Sequence, residues 1–169
     1  MTKRYFGLAL VLLLTIGLTT GGLVWAAPAD LAQTYQNIAI DCPGIKTRLK
    51  QVKVSDDLTR VNYGQMYELI IKDLFIPANT RLVANRFDAG RLVNLTVNFE
   101  TRLNSFRTDY QKYKLAMNGI QDIDCRIKPE LFYDKLQEVR ASRQVLRDHV
   151  AELDRQTTDY LTEFRLVTK

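Results

Sequence analysis

Apolar positions recur along the C-terminal part of this chain in a ladder. From Phe132 the inward positions Leu136, Val139, Arg143, Leu146, Val150, Leu153, Thr157, Tyr160, Phe164 and Val167 follow in steps of four and three without a slip. A 3.5-residue repeat held this long keeps one seam of a helix against a neighbouring helix. A second ladder, Leu92, Leu95, Phe99, Leu103, Phe106, Tyr110, Tyr113, Met117 and Ile120, is apolar or aromatic at every rung. Together they predict two long amphipathic helices, the last over residues 129–169.

Upstream the pattern is weaker. Residues 30–42 read as a mixed lead-in, and Pro43 is a suitable first residue for a helix. Ile45, Leu49 and Val52 then share a face, with the basic group Lys46, Arg48, Lys50 and Lys53 around the rest. Ser55 before Asp56 and Asp57 resembles a helix start, because a hydroxyl caps free amides and carboxylates complement the positive end of the dipole. Two helical pieces or one kinked helix are therefore expected here. Apolar positions continue from Leu58 through Val61, Met66, Leu69, Ile70 and Leu74, with Gly64 as a soft spot.

Pro77 is expected to end or bend this helix, since it lacks a donor and collides with the carbonyl one turn back. Residues 78–87 predict a further short helix with Leu82, Val83 and Phe87 inward, followed by a corner at Asp88-Ala89-Gly90 where Asp88 is a cap. At ~1.5 Å per residue the three rods are roughly 48, 50 and 58 Å long. The predicted class is all-α: an elongated antiparallel three-helix bundle, coiled-coil-like, over residues 43–169.

Composition agrees with one globular domain. Hydrophobic residues make up 46% of 169 and charged residues 25%, while 8 Gly and 4 Pro leave little punctuation for an all-β fold. Residues 1–29 read as a signal peptide or an N-terminal membrane anchor. Lys3 and Arg4 precede an apolar run, and small residues allow cleavage after Ala26 or Ala29. Residues 5–29 are uncharged and long enough to associate with or cross a membrane. Both readings place the remainder outside the cytoplasm, secreted or anchored in the cytoplasmic membrane. Without Lys3 and Arg4 the mature part has 22 basic residues against 19 acidic ones. That excess is too mild to imply a nucleic-acid partner.

Export changes the meaning of the two cysteines. Cys42 and Cys125 are expected to pair in an oxidising compartment, and no CxxC or histidine cluster accompanies them to make a metal site. Each precedes a proline, Pro43 and Pro129, that opens a helix. In an up-down-up arrangement those two entrances share one end of the bundle, so topology and disulfide support each other.

Motifs for chemistry are missing. The sequence has no nucleophile elbow, HExxH, EF-hand loop, P-loop or dinucleotide glycine pattern. His149 is its one histidine and reads as a half-exposed flank residue among Arg147, Asp148 and Glu152. Asp56/Asp57 read as a helix start and Asp122/Asp124 as a polar turn. The aromatic rungs have core spacing, and Leu95, the middle of the glycosylation-like Asn94-Leu95-Thr96, is itself a rung. Arg143 and Thr157 interrupt the last ladder; Arg143 is expected to lay its stem over the seam and reach water with its guanidinium. No catalytic residue, cofactor, metal or small-molecule substrate is inferred.

The segments Arg60-Val61-Asn62-Tyr63-Gly64-Gln65, Pro77-Ala78-Asn79-Thr80-Arg81-Leu82, Ile123-Asp124-Cys125 and Phe132-Tyr133-Asp134, with Pro129, resemble small exported helical proteins of candidate-phylum, reduced-genome bacteria. The likeness covers residue 58 to the C-terminus. It implies an envelope or secreted location and carries over no active site.

The leading function is a non-enzymatic scaffold or interaction protein of the envelope. The alternative is a holdase-type envelope chaperone that binds unfolded clients, and an enzyme is the weakest reading. Candidate contacts for a protein partner are Arg143, the distal Tyr160 and Phe164, and the basic group Lys46, Arg48, Lys50 and Lys53. The distal end of the last helix either overhangs or meets the 78–87 segment.

Overall fold

The computed structural model describes residues 31–169, so the expected signal or anchor lies outside the described residues. The regular elements described are all helical: α1 (Leu31–Ile40), α2 (Cys42–Leu69), a π segment (Ile70–Phe75), α3 (Ile76–Ala84), α4 (Gly90–Asp122) and α5 (Pro129–Val167). They form a helical bundle around one apolar core. Among the described residues no helix is long and apolar enough to cross a membrane.

The two ladders build the main seam. Every α4 rung is buried except Leu95, which is partly covered. On α5 the residues Phe132, Val139, Leu146, Leu153 and Tyr160 are buried at seven-residue intervals. The intervening row, Leu136, Arg143, Val150, Thr157 and Phe164, is half covered. The alternation follows from a heptad repeat whose one row points straight at α4 while the other lies at its margin. α2 leans on α4, and its backbone stays clear of α5. Links from α2 rise in step with α5 numbering, Asp56 to Arg143 and Tyr67 to Asp154. On α4 they run the opposite way, Asp57 to Tyr110 and Glu68 to Arg107.

The N-terminal half departs from expectation in several places. The lead-in is helical: α1 occupies most of residues 30–42, buries Ile38 and sets Tyr35 edge-on to Tyr133 of α5, ring centroids 5.8 Å apart. α2 does not restart at Ser55; it runs unbroken from Cys42 to Leu69, and Asp56 and Asp57 bond across the bundle instead of capping. Pro77 neither ends the helix nor isolates a 78–87 helix. The preceding turn widens into the π segment, where Ile76 N–H bonds to the Ile71 carbonyl five residues back, and the chain continues into α3. A wider turn gives room to the carbonyl that the proline ring would otherwise strike.

The π segment also sets the buried face. Tyr67, Ile71, Phe75 and Asn79 are buried and Tyr63 packs beside them, all four residues apart. In a regular helix each such step overshoots a full turn by about 40°, and the π turn absorbs that drift. The expected core positions Leu58, Val61, Met66, Leu69 and Leu74 face outward, and so do Val83 and Phe87. Only Leu82 of its predicted trio is buried. α3 ends with Arg86 at φ 64°, Arg86 N–H on the Val83 carbonyl and Phe87 N–H on the Leu82 carbonyl. That is the Schellman pattern with arginine where glycine is usual. Asp88 is not the cap: Ala89 holds that position with no side-chain cap bond, and Asp88, one residue earlier, accepts from Gly90 N–H at 3.1 Å in an Asx turn.

Cys42, in the first turn of α2, is disulfide-bonded to Cys125, in the turn before α5, with Cα atoms 5.6 Å apart. Both are buried. Lys46 Nζ donates to the Gln121 carbonyl at 2.9 Å and ties the same end together.

Candidate functional site

A belt of phenols and carboxylates joins α2 to the α4/α5 pair. Asp56 accepts two bonds from Arg143, Nε to Oδ2 and Nη2 to Oδ1, both 2.8 Å, and a third from the Tyr113 hydroxyl. The Tyr110 hydroxyl donates to Asp57. Tyr67 donates to Asp154 Oδ1 at 2.8 Å, and Arg107 pairs with Glu68. On the α4/α5 side, His149 Nε2 meets Asp109 Oδ2 at 2.9 Å. Burial pushes the Tyr67, Tyr110 and Tyr113 phenols up, and each bonded carboxylate pushes them further. Asp109 is held below the usual carboxylate range, chiefly by Lys112 and then by His149.

Beside this belt a cleft of about 440 Å³ opens where α2 and α5 diverge. Phe106 and Tyr110 of α4 line it together with Tyr63, Leu146 and Val150, and Arg60, Arg143 and Arg147 contribute its cationic groups. The Arg60 guanidinium lies 5.3 Å from the centroid of the Tyr110 ring. On the opposite face of α2 the outward stripe Val54, Leu58, Val61 and Leu69, continued by Leu74 of the π segment, is 41 to 62% exposed.

The residues singled out in the sequence are dispersed among these features. Arg143 does carry an acidic partner, Asp56, and its side chain is 42% exposed against 14% for Asp56. The side chain does reach water in part, as expected, but its guanidinium is held by a bidentate carboxylate pair. His149 is buried, not half exposed, and its Nδ1 has no partner among the described residues. Tyr160 turns inward, stacked on Phe75 at 3.7 Å between ring centroids, and its hydroxyl donates to Asn79 Oδ1 at 2.8 Å. The distal end of α5 thus meets α3. Phe164 is partly buried against the core. In the basic group Lys46 is held by Gln121, Arg48 pairs with Asp41 at 2.5 Å, and Lys53 lies 3.7 Å from Asp57; Lys50 is exposed.

Sequence reasoning missed the phenol-carboxylate belt. A readable signal existed: Tyr110 and Tyr113 are ladder rungs, and a hydroxyl on a rung needs an acceptor when buried. Among the described residues no group of three or more His, Cys, Asp or Glu side chains is placed to hold a metal ion. No family model, curated protein or solved structure matches the chain.

Proposed function

We propose that the protein is a non-enzymatic, extracytoplasmic interaction module: an elongated antiparallel three-rod bundle that serves as scaffold or adaptor in the cell envelope or secreted fraction. One observation carries this reading. α2 keeps its tyrosines for the bundle and turns a second apolar face outward, with Leu58 62% and Leu69 58% exposed. A row of exposed apolar residues along one helix is what a partner helix or groove covers. The Cys42–Cys125 bond suits an oxidising compartment, and agrees with the export signal or anchor read at the N-terminus.

The test compares partners captured by the full chain from its host's envelope fraction with those captured by Leu58→Glu/Leu69→Glu. A discrete set retained by the parent and lost by the variant, with equal helicity, supports the reading. The same set on both sinks it. Suppression of client aggregation by the parent at stoichiometric amounts moves the assignment to the holdase class.

A further inference from the structure

We infer that the cleft between α2 and α5 binds a small amphipathic organic anion, an aromatic carboxylate by chemical class. This does not depend on the outward stripe of α2, which lies on another face. The cleft exists because α2 rests on α4 while its backbone stays clear of α5. Its volume, about 440 Å³, falls within the roughly 300–1,000 Å³ of small-molecule sites, which pair mostly apolar walls with a few polar groups. The partly exposed Tyr63 offers ring surface for a flat aromatic body, with the edges of the buried Phe106 and Tyr110 behind it.

The charge balance specifies the other end of the ligand. Of the three guanidinium groups lining the cleft, Arg143 is engaged by both oxygens of Asp56. Arg60 and Arg147 have no ion-pair partner among the described residues: Arg60 rests on the Tyr110 ring, and Arg147 Nη2 bonds the neutral Gln144 Oε1. Of the two carboxylates lining the cleft, Asp56 is paired with Arg143, while Asp154 takes a hydrogen bond from the neutral Tyr67 hydroxyl and keeps its charge, so three guanidinium groups against two carboxylates leave the cleft with a net charge of +1. Two guanidinium groups without an ion-pair partner among the described residues therefore line the cleft, one of them, Arg60, over the Tyr110 ring. A guanidinium matches a carboxylate in charge and in the spacing of its donors.

Isothermal titration of the full oxidised chain with 2-naphthoate tests this, with 2-naphthylmethylammonium as the matched cation. The expected result is one naphthoate per chain, with the cation bound at least about tenfold more weakly. Arg60→Ala/Arg147→Ala weakens naphthoate by about tenfold or more, the scale of a lost charge-assisted bond. Because Arg60 also packs on Tyr110, a second variant guards against mere unfolding. Ala151→Phe, at an exposed α5 position lining the cleft, fills the space and abolishes binding while the melting temperature holds. Absence of naphthoate binding up to millimolar concentration, equal binding of the cation, or full binding by folded Ala151→Phe overturns the assignment.

Discussion

The α4/α5 seam is held almost wholly by apolar rungs, whereas α2 adds a row of polar bonds to its apolar contacts, Ile45, Leu49, Val52 and Tyr67. Along the seam, hydrophobic rungs succeed one another from Leu92 to Ile120 and from Phe132 to Val167, with Arg143 and Thr157 at its margin. α2 is fastened in its middle by Asp56 and Asp57 and near its end by Tyr67, each in a hydrogen bond to a neighbouring helix. Apolar burial is non-directional, whereas a hydrogen-bonded belt fixes register and depends on protonation. The seam is thus the frame, and α2 is a strap whose position is specified by polar groups and whose ends are secured by the disulfide and the Phe75–Tyr160 stack.

The largest effect should come from releasing the strap at its stapled end. Cys42→Ser/Cys125→Ser removes a closure spanning 83 residues of sequence separation, with an expected loss of about 4–5 kcal/mol in the chain-entropy model. Urea unfolding followed by circular dichroism measures it, and an unchanged midpoint would mean the strap needs no staple.

Alkaline pH attacks the belt next. Tyr67, Tyr110 and Tyr113 have raised native pKa values, so above pH ~10 the unfolded chain loses phenolic protons that the native chain retains. Their contribution is complete below that pH and declines as pH rises, by up to about 1.4 kcal/mol per unit for each phenol, roughly 4 kcal/mol at pH 11 for the three. Absorbance at 295 nm should show these tyrosines ionising together with loss of structure. Ordinary, independent titration of every tyrosine in a still-helical chain would contradict a phenol-based belt.

Single substitutions then separate frame from strap. Leu153→Ala, in the fully buried row of α5, should cost about 3 kcal/mol and loosen the whole bundle. Asp56→Ala strands Arg143 and Tyr113; because Arg143 is 42% exposed, water takes part of the loss and about 2 kcal/mol is expected. Hydrogen exchange should quicken along α2 in Asp56→Ala and leave α4 and α5 protected. Equal acceleration in all three helices would erase the distinction. The smallest effect is a gain: Arg86→Gly relieves a left-handed residue at the α3 terminus, for about 1 kcal/mol of stabilisation in thermal melts.

The frame was legible in the sequence because its helices obey a single periodicity and bury hydrophobic groups on one face only. The pairing of Cys42 with Cys125 was legible for the related reason that helix entrances can be located. α2 was misread because both its faces carry apolar residues, so counting them could not choose between Leu58, Val61 and Leu69 outside and Tyr67, Ile71 and Phe75 inside. The π segment then shifted the phase. Asp56 and Asp57 are also ambiguous by nature: the carboxylate that caps a helix and the one that receives a phenol are the same group, and only the facing Tyr110 and Tyr113 decide. His149 was misplaced because a polar residue one step off the seam is buried when an acceptor such as Asp109 stands opposite.

The position of the sulfur bridge also fixes how the molecule would carry a load. Tension applied between residue 31 and residue 169 enters through α1, crosses from Cys42 to Cys125 and leaves along α5. α2, the π segment, α3 and α4 stand off that path, so the chain between the two cysteines, a separation of 83 residues and roughly 280 Å of contour, stays unstretched until the bridge is reduced. Oxidised, the protein can lengthen only through α1, α5 and their flanking turns; reduced, it acquires a large hidden reserve.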